Sequence, residues 1–251
     1  MNDKKSKLVI FDLDGTLAES KSPLEKRMGL ALKNLLKQYK VAIISGGAWP
    51  QFESQVLSRV KLTNTEKSGL YLLPTSGTSF YEFSGGVWRK VYSEEMTLEE
   101  SCRIKGAFDK LLADPQLSFP SKVWGERLED RGTQITFSVM GQSAPTEEKK
   151  AWDPDFSKRL SMIEKLSPML PEFEIRTGGS TSIDVTRKGI DKSHGIKNLQ
   201  SHLGISLTEM LFIGDALFPS GNDRAVYDAG VECISTSGPA FTLKIINKLL
   251  K

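Results

Sequence analysis

Short apolar runs that stop abruptly at polar clusters set the grammar of the N-terminal segment. Leu8-Val9-Ile10-Phe11 is uniformly apolar and ends at Asp12-Leu13-Asp14-Gly15-Thr16. That is the pattern of a strand buried on both faces that delivers carboxylates to its C-terminal edge. Pro23 then opens a helix on which Leu24, Met28, Ala31, Leu32, Leu35 and Leu36 recur at helical spacing up to Tyr39. Val41-Ala42-Ile43-Ile44 follows as a second buried strand ending at Ser45-Gly46-Gly47. A strand, helix, strand unit builds a parallel sheet through a right-handed crossover, and ligands collect at the carboxyl ends of such strands.

The C-terminal part repeats the pattern. It predicts a helix over Lys192–Leu203, a strand over 210–213 ending at Gly214-Asp215, a helix from Asp223, a strand over 231–234 and a last helix after Pro239. Between the two blocks the regular alternation is lost. Strand-like stretches at 134–139 and 182–185 are interspersed with helical runs at Leu98–Leu112 and 156–166, the mark of an α+β insert. The charged, proline-containing stretch 144–154 reads as a loop within it. The expectation is an α/β catalytic core made of residues 1–84 and 188–251, with a parallel sheet, carrying an α+β cap over 85–187.

Composition narrows the partners. The chain has 251 residues, 39% hydrophobic and 26% charged, with 34 basic against 31 acidic side chains and a net charge of +3. No basic stripe is present, so a nucleic-acid partner is not expected. Two cysteines, Cys102 and Cys233, and two histidines, His194 and His202, make neither a disulfide framework nor a zinc site. The basic N-terminal string runs into an apolar segment broken at once by Asp12, which is no export signal, and nowhere do about 18 apolar residues run together. A soluble, cytoplasmic protein with no membrane partner is expected.

The polar clusters converge on phosphoryl transfer. Asp12, Asp14 and Asp215 would repel one another unless a hard divalent cation joined them, which implies Mg²⁺ as cofactor. A carboxylate can attack phosphorus if nearby cations neutralise the phosphoryl oxygens, and Lys192 with the groups around Ser45 could supply that.

At these residues the chain resembles the haloacid dehalogenase superfamily. Its four ordered motifs match Asp12-Leu13-Asp14-Gly15-Thr16, Ser45, Lys192 and Gly214-Asp215. The resemblance implies a Rossmann-like core, with Asp12 as nucleophile and Asp14 as general acid/base. It implies a metal held by Asp12, the Asp14 carbonyl and Asp215, with Asn222 and Asp223 in the same final motif. Thr16, Ser45, Gly46 and Lys192 are the implied phosphate-binding residues.

A cap between the Ser and Lys motifs is similar to that of the superfamily's sugar-phosphate phosphatases and eukaryotic-type phosphomannomutases. The string 178–185, Gly-Gly-Ser-Thr-Ser-Ile-Asp-Val, and the long final motif 214–223 resemble the mutases. So does Glu129-Asp130-Arg131, which marks Arg131 for the distal phosphate and Ser182 and Asp184 for the sugar. Three departures stand out: Gln142 and Trp124 fall where those mutases carry arginines, and Lys21 stands in place of another. A bisphosphorylated sugar needs cation density in the cap, and a neutral amide weakens it. The first expectation is therefore a Mg²⁺-dependent phosphatase acting on a sugar phosphate, with phosphomannomutase as the alternative. A non-catalytic sugar-phosphate sensor is the third, and it would be signalled by decayed motif carboxylates.

Overall fold

The computed structural model describes residues 6–219 and 221–251. Part of the basic N-terminal string, and Ser220 of the final motif, lie outside them. The chain divides into two compact units, residues 1–93 with 191–251, and residues 94–190.

The first unit opens with β1 (Leu8–Asp12), α1 (Lys26–Leu35), β2 (Lys40–Ile44), α2 (Trp49–Phe52) and α3 (Asn64–Ser68). It continues with β3 (Leu70–Leu73), β4 (Ser79–Ser84) and β5 (Val87–Ser93). The second unit holds α4 (Leu98–Leu112), β6 (Leu128–Asp130), β7 (Ile135–Ser138), α5 (Thr146–Trp152), α6 (Ser157–Leu166), β8 (Phe173–Gly178) and β9 (Ser182–Arg187). The chain then returns to the first unit as α7 (Lys192–Leu203), β10 (Met210–Gly214), α8 (Arg224–Asp228), β11 (Glu232–Ser235) and α9 (Pro239–Leu249).

The first unit is built on a seven-stranded sheet in the order β11-β10-β1-β2-β3-β4-β5. The pairs from β11 to β3 are parallel, and β4 and β5 add an antiparallel edge. Alternation along the strands fills both faces, which explains why the strands read as unbroken apolar runs. Val9, Phe11, Val41, Ile43, Leu72, Leu211 and Ile213 pack with Met28, Leu32 and Leu35 of α1 and Ile246 of α9. Leu8, Ile10, Ala42, Ile44, Leu73, Met210 and Phe212 pack on the opposite face with Ile196 and Leu199 of α7 and Val226 of α8. Sequence order reverses between β1 and β10, so the carboxyl ends of β1, β2 and β10 meet where such sheets bind ligands.

The second unit is a four-stranded antiparallel sheet, β6-β7-β9-β8. One face packs Ile135, Phe137, Ile183 and Val185 against Ile104, Phe108 and Leu111 of α4 and Met162 and Leu166 of α6. Phe108 stacks on Phe137 with ring centroids 4.7 Å apart.

Two expectations are corrected here. The boundary placed at residue 85 falls inside the β4–β5 hairpin, which belongs to the first unit's sheet. Gly85 and Gly86 form its two-residue turn with φ of 62° and 83°, the left-handed pair that this kind of hairpin demands. The stretch 144–154 is not all loop, because α5 occupies its middle. Pro145 precedes the helix, Glu147 and Glu148 fill its first turn and Lys149 and Lys150 its last, each charge matched to the helix dipole. Among the described residues no helix is long and apolar enough to cross a membrane.

Candidate active site

The last residue of β1, Asp12, is 5% exposed, and the Lys192 ammonium reaches it from the start of α7. Lys192 Nζ donates to Asp12 Oδ1 at 2.6 Å and to Asp223 Oδ1 at 2.5 Å. Its position follows from the local sequence. Asp191 caps α7 by accepting the main-chain N–H groups of Ser193 at 2.8 Å and His194 at 3.3 Å, which sets Lys192 as the first helical residue.

Asp223 spends both oxygens on this arrangement: Oδ1 takes Lys192, and Oδ2 accepts the Ala216 N–H at 3.0 Å. Asp215, just past β10, accepts the Thr16 hydroxyl on Oδ1 at 3.3 Å. Glycines make room for these carboxylates. A Cβ on Gly15 would lie 2.4 Å from Asp215 Oδ2, and one on Gly214 would lie 2.2 Å from Asp223 Oδ2.

Carboxylate oxygens of Asp12, Asp215 and Asp223 lie within 4.8 Å of one another. Burial raises the Asp12 carboxyl well above its ordinary pKa; Lys192 opposes that, and Asp223 and Asp215 add to it. Asp215 is raised too, by partial desolvation first and then by Asp223. Burial works against the Lys192 ammonium, but Asp12 and Asp223 outweigh it and hold its pKa above the ordinary value. Oxygen-only donors that repel one another this closely fit a hard divalent cation. Since both Asp223 oxygens are engaged, Asp12 and Asp215 are the donors best placed to hold it.

The second motif aspartate, Asp14, is fixed by two donors. The Lys21 main-chain N–H lies 2.6 Å from Oδ1 and Gln51 Nε2 lies 2.9 Å from Oδ2. Lys21 therefore meets Asp14 through its backbone, in a left-handed conformation with φ 54°. After β2, the Ser45 hydroxyl accepts the Gly47 N–H at 3.2 Å.

Reading the sequence by motif missed the segment that supports this loop. Thr75, Ser76 and Gly77 are consecutive left-handed residues. The N–H groups of Thr75 and Ser76 donate to the carbonyls of Gly47 and Ser45. Gly77 in turn meets Gly195 of α7: a Cβ on Gly77 would lie 2.6 Å from the Gly195 Cα. A Ser-Gly pair after an apolar run and a proline was the available signal. Gln51 carried no signal of its own.

In the second unit Ser182 and Asp184, singled out from sequence, share one sheet face. Register pairs Glu129 with Thr136, Thr136 with Asp184, Ser138 with Ser182 and Asp184 with Arg176, opposite the apolar face. The Thr136 hydroxyl donates to Asp184 Oδ1 at 2.7 Å, and the Ser138 and Ser182 hydroxyls are 2.8 Å apart. Arg131, one residue past β6, pairs with Glu129 at 2.7 Å. Gln142 uses its main chain, donating to the Glu126 carbonyl at 3.0 Å and accepting Lys149 Nζ at 3.1 Å. Thr136 and Ser138 are polar positions on a strand that sequence reading left unassigned.

Comparison with known proteins places these residues in a family context. The sequence profile of eukaryotic phosphomannomutase matches residues 28–251. A phosphomannomutase from Encephalitozoon cuniculi is 26% identical over 257 residues, covering 99% of this chain and 95% of that protein. One from Schizosaccharomyces pombe is 24% identical, covering 96% of this chain and 93% of that protein. Among solved structures, an N-terminally truncated, IMP-bound IMP-nucleotidase from Plasmodium falciparum superposes with a TM-score of 0.72 at 13% identity. That superposition covers 99% of this chain and 69% of the other, and at such identity it shows the fold alone. The expectation of a phosphatase is corrected by these matches. It rested on Gln142 and Trp124 standing where arginines are expected and on Lys21 standing in place of another, and a likeness to proteins named phosphomannomutase along the whole chain outweighs those departures.

Proposed function

The chain belongs to the eukaryotic phosphomannomutase family, and from that premise we propose that it interconverts mannose 1-phosphate and mannose 6-phosphate through an aspartyl-phosphate on Asp12. The observation that carries this reading is the family match over residues 28–251. The carboxylate and ammonium cluster at the carboxyl end of the first unit's sheet supports the chemistry.

A carboxylate oxygen of Asp12 forms the new O–P bond as an ester P–O bond of a hexose bisphosphate breaks, leaving the monophosphate. Asp14 gives a proton to the departing sugar oxygen, and in the return direction takes the proton from the attacking hydroxyl. The phosphoryl group then passes to the free hydroxyl of a sugar monophosphate rather than to water, and the bisphosphate so formed, turned end for end, returns its other phosphoryl group to Asp12. Lys192, Thr16, Ser45 and the Gly46 amide hold the phosphoryl oxygens. Asp12, the Asp14 carbonyl and Asp215, with Asn222 and Asp223 behind them, are the residues to hold Mg²⁺, which when bound neutralises charge on those oxygens.

In the second unit Arg131 takes the distal phosphate, and Ser182 and Asp184 take sugar hydroxyls. Gln142 and Lys21 contribute weaker contacts than arginine would.

The test is to incubate the protein with mannose 1-phosphate, Mg²⁺ and a hexose bisphosphate activator, and to follow the mixture by phosphorus NMR. Mannose 6-phosphate should form with no build-up of inorganic phosphate. Release of phosphate in step with loss of substrate would overturn the reading.

A further inference from the structure

The largest buried polar side chain of the second unit has no part in the chemistry above. Arg159, on the first turns of α6, is 1% exposed. Its Nε donates to Asp153 Oδ2 at 2.7 Å, and Asp153 is itself buried. The same carboxylate accepts the main-chain N–H groups of Lys158 at 3.0 Å and Arg159 at 3.3 Å, which caps α6. The guanidinium also lies over the ring of Phe156, 4.8 Å from its centroid. Desolvation pulls its pKa below the ordinary value, and the carboxylates of Asp153 and Asp184 oppose that.

The other end of this side chain is spent on backbone. Nη1 donates to the carbonyls of Gly178 at 2.9 Å and Gly179 at 2.8 Å, with the Ser182 carbonyl at 3.4 Å. These carbonyls bracket the turn between β8 and β9, and Ser182 is the first residue of β9. The turn is also tied by the Val139 N–H, which donates to the buried Thr181 carbonyl at 3.1 Å. Gly178 and Gly179 have no side chains to pack, and Gly179 sits at φ 39°. A Cβ at Gly178 would lie 2.3 Å from Asp184 Oδ2, so a side chain there would displace that carboxylate.

Burying an ion pair is costly, and an apolar pair of similar volume is commonly as stable or more so. A fold that keeps one obtains something other than stability from it. Here the return is geometric, since a planar fork can gather several carbonyls at fixed angles where a hydrocarbon cannot.

We propose that Arg159 is a positioning residue for sugar recognition: by gathering the Gly178, Gly179 and Ser182 carbonyls it fixes the start of β9, and so sets where the Ser182 hydroxyl and Asp184 carboxylate meet the sugar. This rests on the reading that Ser182 and Asp184 contact the substrate. Because Asp153 neutralises it, Arg159 does this without offering a free cation to phosphate.

Steady-state kinetics of the full chain with mannose 1-phosphate, Mg²⁺ and a hexose bisphosphate test it. Arg159→Lys keeps the charge and loses the fork; it should raise KM about tenfold while kcat stays within about threefold of wild type. The combined variant Arg159→Lys with Asp184→Asn should have a KM close to that of Asp184→Asn alone, because both changes remove one interaction with the sugar. An unchanged KM in Arg159→Lys, or effects on KM that multiply in the combined variant, overturns the inference. Should Arg159→Lys fail to fold, Asp153→Asn leaves the guanidinium in place but loosens its anchor, and a wild-type KM there overturns the inference equally. If Ser182→Ala and Asp184→Asn themselves leave KM unchanged, the substrate reading falls and takes the inference with it. If they raise KM and Arg159→Lys does not, the inference alone falls.

Discussion

The two units solve the problem of placing polar groups in opposite ways. In the first, parallel strands are apolar along their whole length, and everything charged is pushed to their ends; Asp12, Asp215 and Lys192 owe their meeting to topology. In the second, antiparallel strands carry polar residues on every other position, and the candidate substrate contacts lie across a sheet face rather than at its edge. The first arrangement concentrates charge in a few atoms and is correspondingly intolerant. The second spreads hydroxyls and amides over a platform, where single losses are graded.

This contrast can be broken most decisively at Asp12. Asp12→Asn removes the attacking oxygen and should lower turnover by roughly 10⁴-fold or more, while the second unit keeps its fold. A residual rate near wild type would mean that the charged cluster is not where bonds are made.

Lys192→Met is next. It leaves Asp12 and Asp223 buried without their cation, at a cost of about 3–5 kcal/mol in urea unfolding. A loss below about 1 kcal/mol would mean that the cluster is less tightly coupled than its distances imply.

The pH dependence of stability sharpens the same point. Asp12 and Asp215 hold protons more tightly folded than unfolded. In metal-free protein their contribution is fully present below the unfolded carboxyl pKa and is lost as pH rises through the raised folded values. Lys192, also raised, keeps its contribution through neutral pH and loses it only in strong alkali. Urea midpoints of metal-free protein should therefore fall between mildly acidic and neutral pH more steeply than those of Asp12→Asn, and saturating Mg²⁺ should flatten the slope. Parallel slopes for the two proteins would contradict the raised values.

The smallest effect belongs to the second unit's scaffold. Thr97 caps α4, accepting the Glu100 N–H at 3.2 Å while Glu100 accepts the Thr97 N–H at 2.6 Å. Thr97→Ala should cost about 1 kcal/mol in unfolding and leave kcat and KM unchanged.

How much of this was legible in the sequence follows the same division. Strand ends in the first unit announce themselves, because an unbroken apolar run followed by Asp or Gly has few other readings; β1, β2 and β10 lie where the pattern put them. The β4–β5 hairpin did not stand out, since β5 is largely exposed at the sheet's edge and its residues alternate without a clear apolar face. Pro74 and the Ser76-Gly77 pair signal no more than a turn, and the left-handed backbone at Thr75 and Ser76 was missed because surrounding structure imposes it. Gln51, Thr136 and Ser138 act through partners far away in the chain, and only the fold brings those partners together. Arg159 was hidden for a related reason: a charged residue on an amphipathic helix looks like solvent-facing surface until the turn it serves is seen.

The meeting of Gly77 and Gly195 has a consequence for how such a protein can change over generations. Where two stretches of main chain touch with nothing between them, neither partner can acquire a side chain alone, so the spacing is frozen. The helix that bears Lys192 is therefore indexed to the loop beneath Ser45 by backbone alone. The apolar layers on either side of the sheet are free to exchange one hydrocarbon for another without moving that index.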